Sequence, residues 1–287
     1  MYVQQDIFAG MTIEVEKFYT IKYCGKNVQR TGRCNPTPDT QARLNERNAV
    51  KKLRRLINAN FKRNDYHLIL TYNPEKRALD AEMARKDLKK FLDRLRYAFK
   101  KLGAELKYIA VSEYGKKSMH HHLVISGDIP ADKLADLWTN GRIGLRLLDG
   151  SGDYIRLADY LIKQSRKTFN DPEKAVFKKR WCGSKNLVKP VVKRKVVSAN
   201  SWREYPQAPK GYMIIPESIE YGVSDITGYP YQYYRMIKIP ENIGKERNRN
   251  DKNVLVRDMD FSFDEKHPRL EVVVARKDEV DVNETQY

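Results

Sequence analysis

Three consecutive histidines inside an apolar run, Met119-His-His-His-Leu-Val-Ile125, constrain this chain more than any other feature. The run has the composition of a strand, and side chains along a strand alternate between faces. His120 and His122 therefore share one face and His121 takes the other. Two imidazoles two residues apart on one face can converge on a single cation. The neighbours Leu123, Val124 and Ile125 predict burial, and burying imidazoles without a partner is costly. A hairpin turning at Lys116-Lys117 sets Glu113 directly opposite His120 on the same face, within reach as a third ligand. Two nitrogens and a carboxylate leave coordination positions open for water and a phosphate oxygen. That set suits Mn²⁺ or Mg²⁺, with histidine favouring manganese. The competing reading is a polar surface strand whose histidines hold nothing.

A second candidate lies on the segment Asp153 to Lys167, which reads as a helix. At about 100° per residue, Tyr154, Leu157, Ala158, Leu161 and Ile162 form one apolar stripe. Tyr160 falls on the other side, flanked by Arg156, Lys163 and Lys167. A phenol titrates at pH ~10 and is a weak nucleophile at neutral pH. Adjacent cations favour the phenolate and would neutralise a phosphodiester under attack. Lys163, three residues on, shares the face of Tyr160. The plainer alternative is an exposed tyrosine on a basic DNA-contacting helix.

The remaining chain supplies a scaffold. Residues 12–24 and 66–72 alternate as strands, and 106–113 and 141–148 also read as strands. Thr37-Pro38 is an N-cap followed by proline at the first helical position. It opens a helix to about Phe61, with an apolar face and a basic stripe of Arg43, Arg47, Lys51, Lys52, Arg54 and Arg55. A second amphipathic helix covers about Asp80 to Lys101, and a short one Ala131 to Trp138. The order predicts an α+β domain in which helices cover an antiparallel sheet.

Charge points to the partner. Lys and Arg number 55 against 37 Asp and Glu, a net +18, which favours a polyanion such as nucleic acid. The excess is not uniform: residues 251–287 hold six Lys/Arg against ten Asp/Glu. Three cysteines are too few and too scattered for a disulfide framework or a four-cysteine zinc site. Cys24 and Cys34 are expected to be reduced thiols. No apolar run approaches the ~18 residues that span a bilayer, and the first residues lack signal-peptide character. A cytoplasmic protein without a membrane partner is expected.

Three pieces occur in order: the strand Ile69-Leu-Thr-Tyr72, the histidines 120–122, and the helix Tyr160-x-x-Lys163. Together they resemble the HUH endonucleases, specifically rolling-circle replication initiators of phages, plasmids and mobile elements. Trp181-Cys-Gly-Ser-Lys-Asn-Leu-Val-Lys-Pro190 adds to the likeness, which spans roughly residues 37–195. The resemblance implies His120 and His122 as metal ligands with Glu113 third, Tyr160 as the nicking nucleophile, and Lys163 steadying the phosphate. It also implies DNA contacts at Thr71, Tyr72, Arg156 and Lys167. The middle position of the histidine motif is His121 here, where the family has a hydrophobic residue.

The implied fold is a central antiparallel sheet of about five strands with helices packed on its faces, followed by a basic, tyrosine-rich C-terminal region. One tyrosine on the exposed helix face implies the single-tyrosine subclass. The expected divisions are an N-terminal strand and basic loop (1–36), the endonuclease domain (37–167), a basic accessory region (168–250) and a loosely ordered acidic tail (251–287). The implied activity is metal-dependent nicking and joining of single-stranded or hairpin origin DNA through a 5′-phosphotyrosine in a bacterial host cell. No Gly-x-x-x-x-Gly-Lys-Ser/Thr segment occurs, so unwinding falls to a host helicase and extension to a host polymerase. A dimer is a further option. The rivals are a relaxase or transposase of the same chemistry, and a non-catalytic binder stacking bases on Tyr229, Tyr231, Tyr233 and Tyr234.

Overall fold

In a computed structural model the chain divides into two compact units. Residues 1–20, 22–23, 26–27, 37–114, 119–169, 171, 175–177, 179–198, 202–224, 227–239 and 272–273 are described. Cys24, Cys34, the turn at Lys116-Lys117 and nearly all of the acidic tail lie outside them.

The first unit takes in residues 1–59, 152–155 and 188–262. A hairpin of β1 (Tyr2–Ala9) and β2 (Thr12–Tyr19) opens it, followed by the two-residue strands β3 (Lys22–Tyr23) and β4 (Lys26–Asn27) and by α1 (Pro38–Asn60). Thr37 caps α1 as expected: the Thr40 amide donates to its Oγ1 at 3.3 Å, and Pro38 stands first in the helix. Three later strands complete the unit: β10 (Val191–Val197), β11 (Tyr212–Val223) and β12 (Pro230–Lys238). The sheet runs β10-β1-β2-β12-β11, antiparallel throughout. Segments from the two ends of the chain thus share one sheet, and the 12–24 strand belongs here instead of beside the histidines. At the β1–β2 turn, Gly10 has φ +58°, and a Cβ there would stand 1.9 Å from the Asn58 carbonyl oxygen. Only glycine fits.

The basic stripe of α1 is not a free surface. Glu14 and Glu16 of β2 point at it: Arg54 reaches Glu14 at 2.5 Å, and Arg55 reaches Glu14 at 2.7 Å and Glu16 at 2.6 Å. Lys51 meets Glu16 at 3.3 Å and sits 3.8 Å over the Tyr233 ring, and Arg47 pairs with Glu220. Arg54 also donates to the Tyr233 hydroxyl at 2.7 Å. Four of the stripe's cations are held by carboxylates inside the unit.

The second unit takes in residues 60–151, 156–187 and 263–287. Its elements are β5 (Tyr66–Leu70), α2 (Ala81–Lys101), β6 (Tyr108–Tyr114), β7 (Met119–Ile125), α3 (Ala131–Leu137), β8 (Ile143–Leu147), most of α4 (Ile155–Phe169), β9 (Cys182–Gly183) and β13 (Val272–Val273). The antiparallel order is β13-β8-β5-β7-β6-β9, so the histidine strand lies between β5 and β6 in the middle. Asp80 caps α2 by accepting from the Met83 amide at 2.6 Å. The apolar stripe of α2 (Leu88, Phe91, Leu92, Leu95, Phe99) packs on Leu68, Leu70, Ala110, Leu123 and Ile125. Each such side chain contributes about 1.5–3 kcal/mol on burial. The architecture is α+β with antiparallel sheets, as expected. No helix among the described residues is long and apolar enough to cross a membrane.

Candidate functional site

The register of β6 with β7 pairs Glu113 with His120, Ser112 with His121 and Val111 with His122. With β5 on the other side, Ile69 pairs with His122 and Leu70 with His121. Alternation then sorts the side chains. His121 joins Leu123, Leu70 and Ser112 on the face covered by α2. His120, His122 and Glu113 share the opposite face.

His121 is fully buried, and both its nitrogens are used. Nδ1 lies 2.8 Å from Ser112 Oγ and Nε2 3.1 Å from Tyr72 Oη. Burial, then the neighbouring imidazoles, push it down to about 3, so the ring is neutral. A neutral imidazole donates through one nitrogen and accepts through the other, which two hydroxyls can satisfy. The middle histidine is therefore a strut in the core.

On the opposite face Glu113 reaches between two rings, 3.6 Å from His120 Nδ1 and 3.4 Å from His122 Nε2. Burial raises its pKa, but the two imidazoles outweigh that and hold it at about 2. His122 is 3% exposed, and neither its nitrogens nor Glu113 Oε2 has a hydrogen-bond partner. Buried polar atoms without partners are rare in folded chains. Here they cluster, and all are donors of the type that bind divalent cations. Among the described residues, no group of three His, Cys, Asp or Glu is arranged as a preformed cage. The carboxylate leans on the imidazoles, and the three do not surround a common point. His120, with 29% of its side chain exposed, has room to turn. The donor set fits a divalent cation in chemistry, and adjustment of His120 is what convergence requires.

Tyr160 stands against this cluster. Its ring centroid is 5.5 Å from that of His122 at 82°, an edge-on contact. A fourth histidine, His67 of β5, lies 6.0 Å from Tyr160 and stacks on His122 at 5.7 Å and 23°. It is 2% exposed and its Nε2 has no partner. Burial, then His122 and Arg146, push it down to about 3. His67 is absent from the candidates that sequence reasoning supplies. A signal for it exists all the same: alternation along Tyr66-His-Leu-Ile-Leu70 puts it opposite the core face of β5.

Several expectations are revised. Tyr160 is half-buried against the histidines, away from a purely cationic surround. Lys163 pairs with Asp159 at 2.7 Å, with 67% of its side chain exposed. Tyr72, expected at a DNA surface, is 7% exposed in the core face and serves His121. Thr71 is half-buried and fastens β5 to its neighbours: its Oγ1 donates to the Arg142 carbonyl at 3.2 Å and its carbonyl accepts from Trp138 at 2.8 Å. Arg156 is exposed on α4, and the side chain of Lys167 lies outside the described residues.

A carboxylate and three imidazoles on one face of an antiparallel sheet, under a helix carrying a tyrosine, define a candidate centre for chemistry on a phosphate ester. The elements that build it, β5 through α4, coincide with residues 65–168, which match the family model of Replication-associated protein ORF2. The match covers just over a third of the chain and supports a part in replication initiation. No curated protein and no solved structure matches.

Proposed function

We propose that this chain nicks and rejoins single-stranded DNA at a replication origin, with Tyr160 as the nucleophile. One observation carries the proposal: the Tyr160 ring packs 5.5 Å from His122, the most deeply buried member of the Glu113–His120–His122 cluster. The family match over the same residues is the independent support.

Glu113, His120 and His122 would hold a divalent cation, Mn²⁺ or Mg²⁺. When bound, such an ion polarises the phosphate and offsets its charge during attack. Tyr160 Oη attacks phosphorus and loses its proton to water. The bond from phosphorus to the 3′ oxygen breaks, and that oxygen leaves as a hydroxyl after taking a proton. The 5′-phosphate remains on Tyr160 as a phosphodiester, so a later 3′-hydroxyl can reverse the step without ATP. His67 and His122, flanking the ring, limit where the phenol can point, and that restriction is the orientational part of catalysis. Lys163 and Arg156 at the helix surface would meet flanking phosphates. Host helicase and polymerase would supply unwinding and extension.

The test uses single-stranded and hairpin oligonucleotides tiled across the DNA encoding this chain, with Mn²⁺. An SDS-resistant protein–DNA adduct is expected from the wild type, lost in Tyr160→Phe and in EDTA. An undiminished adduct in Tyr160→Phe removes Tyr160 from the role. DNA binding without any adduct favours the non-catalytic binder.

A further inference from the structure

The first unit presents a sheet face that the tyrosine centre does not use. Register puts Tyr2, Gln4, Asp6 and Phe8 of β1 beside Lys17 and Tyr19 of β2 and Lys193 and Lys195 of β10, all on the face away from α1. Part of that face is closed by its own apolar cluster, Ile13, Val15, Tyr234 and Met236, with Ala208 packed against it. The part toward Tyr2 and Tyr19 is different. Tyr19 stacks on Tyr229 at 3.8 Å and 21°, and Tyr2 meets Tyr19 at 5.5 Å and Trp202 at 5.1 Å, both edge-on. These rings are half-buried, except Tyr229, which is 39% exposed.

Beside the rings stands a cationic row. Lys193 and Lys195 are exposed, about 6.7 Å apart along the strand, and Lys17 lies across from Lys195 on β1's other side. Lys193 sits 5.3 Å over Phe8 and Lys17 6.0 Å over Tyr234. Asp6, the carboxylate in this row, accepts from Gln4 Nε2 at 2.8 Å. Burial and the nearby Lys195 both work against the charge on Lys17, which is a measure of positive potential short of an anion. Arg194 faces the other way, toward Gln5 at 2.6 Å.

We infer that this face is a second, metal-independent site for single-stranded DNA, with phosphates along Lys193 and Lys195 and bases against the Tyr19–Tyr229–Trp202 rings. Aromatic rings next to a cationic strand favour an unpaired strand, whose bases are free to stack. The inference does not rest on Tyr160 chemistry.

The test is fluorescence anisotropy of the full chain with a labelled oligothymidylate in EDTA, across a salt series. Lys193→Ala/Lys195→Ala is expected to weaken binding and reduce the slope of log affinity against log salt by about 1.4, two phosphate contacts at ~0.7 each. Tyr229→Leu is expected to weaken binding on the order of tenfold with the slope kept. Variants are accepted only if their urea midpoints match the wild type. Unchanged affinity and slope in the lysine variant would overturn the site and leave those lysines as guards of an exposed edge strand. Duplex DNA or polyglutamate competing as well as the single strand would also overturn it. Adduct formation with Mn²⁺ is scored separately, so either conclusion can fail alone.

Discussion

His121 and His122 are adjacent in sequence and opposite in chemistry. One has both nitrogens engaged by Ser112 and Tyr72; the other has neither engaged. Substituting each should therefore have separable effects. Titration calorimetry with Mn²⁺ should show His122→Ala losing affinity on the order of tenfold or more, with His121→Ala close to wild type. In urea denaturation His121→Ala should lose roughly 1–3 kcal/mol, because two buried hydroxyls are left without a partner. Equal losses of Mn²⁺ affinity would mean that the faces have been misassigned. Acid should act through the same residues. His67 and His121 are held at about 3 in the fold, down from the ordinary imidazole value of 6.5. The unfolded chain then takes up protons that the folded chain refuses, so stability should fall as pH drops from 6.5 toward 3. A urea midpoint that is flat over that range would contradict the neutral assignment. At this scale the sequence was legible where alternation alone decides, as with His120 and His122 sharing a face with Glu113. It was silent on Ser112, Tyr72 and His67, whose roles depend on strand register across β5, β6 and β7.

Helix α1 illustrates what periodicity can and cannot deliver. Its span, its Thr37 cap and its apolar residues Ala49, Leu53 and Ile57 follow from the 3.6-residue period. The fate of its basic side does not, because Glu14 and Glu16 lie far away in the chain on an alternating strand. Arg54 is 2% exposed and Glu14 0%, so removing either partner leaves a buried charge. Arg54→Ala should cost about 3–5 kcal/mol in chemical denaturation, whereas the exposed Lys52 should be nearly neutral. Burial raises the Glu14 carboxyl, and Arg54 and Arg55 more than reverse this, leaving it below its usual value of 4.5. Its contribution is present above that pH and lost as pH falls below it, and Arg54→Ala should blunt that acid limb. Gly10→Ala should also destabilise the first unit, since both its φ and the Asn58 carbonyl oppose a side chain. A variant as stable as wild type would mean that the β1–β2 turn relaxes freely.

For the whole molecule, a net charge of +18 is an accurate guide to the class of partner only after the internal pairs are set aside. The cations of α1 are committed to Glu14, Glu16 and Glu220. The surface field must come from elsewhere, β10 included. With about three phosphate contacts, affinity for single-stranded DNA in EDTA should fall roughly 20-fold as salt rises fourfold. A salt-independent affinity would argue against a phosphate-led encounter.

Connectivity has a consequence for biosynthesis. The first unit cannot close its sheet until β12 arrives, and Tyr233 and Glu14 meet across 219 positions. At roughly 5–20 residues per second, a ribosome leaves the open edge of β2 waiting about ten to forty seconds. Nascent chains arrested before Tyr229 should be cut readily within the β1–β2 hairpin and resist protease across β5 to α4. A cell making this protein would have to shield that edge from neighbouring polysomes for the whole interval.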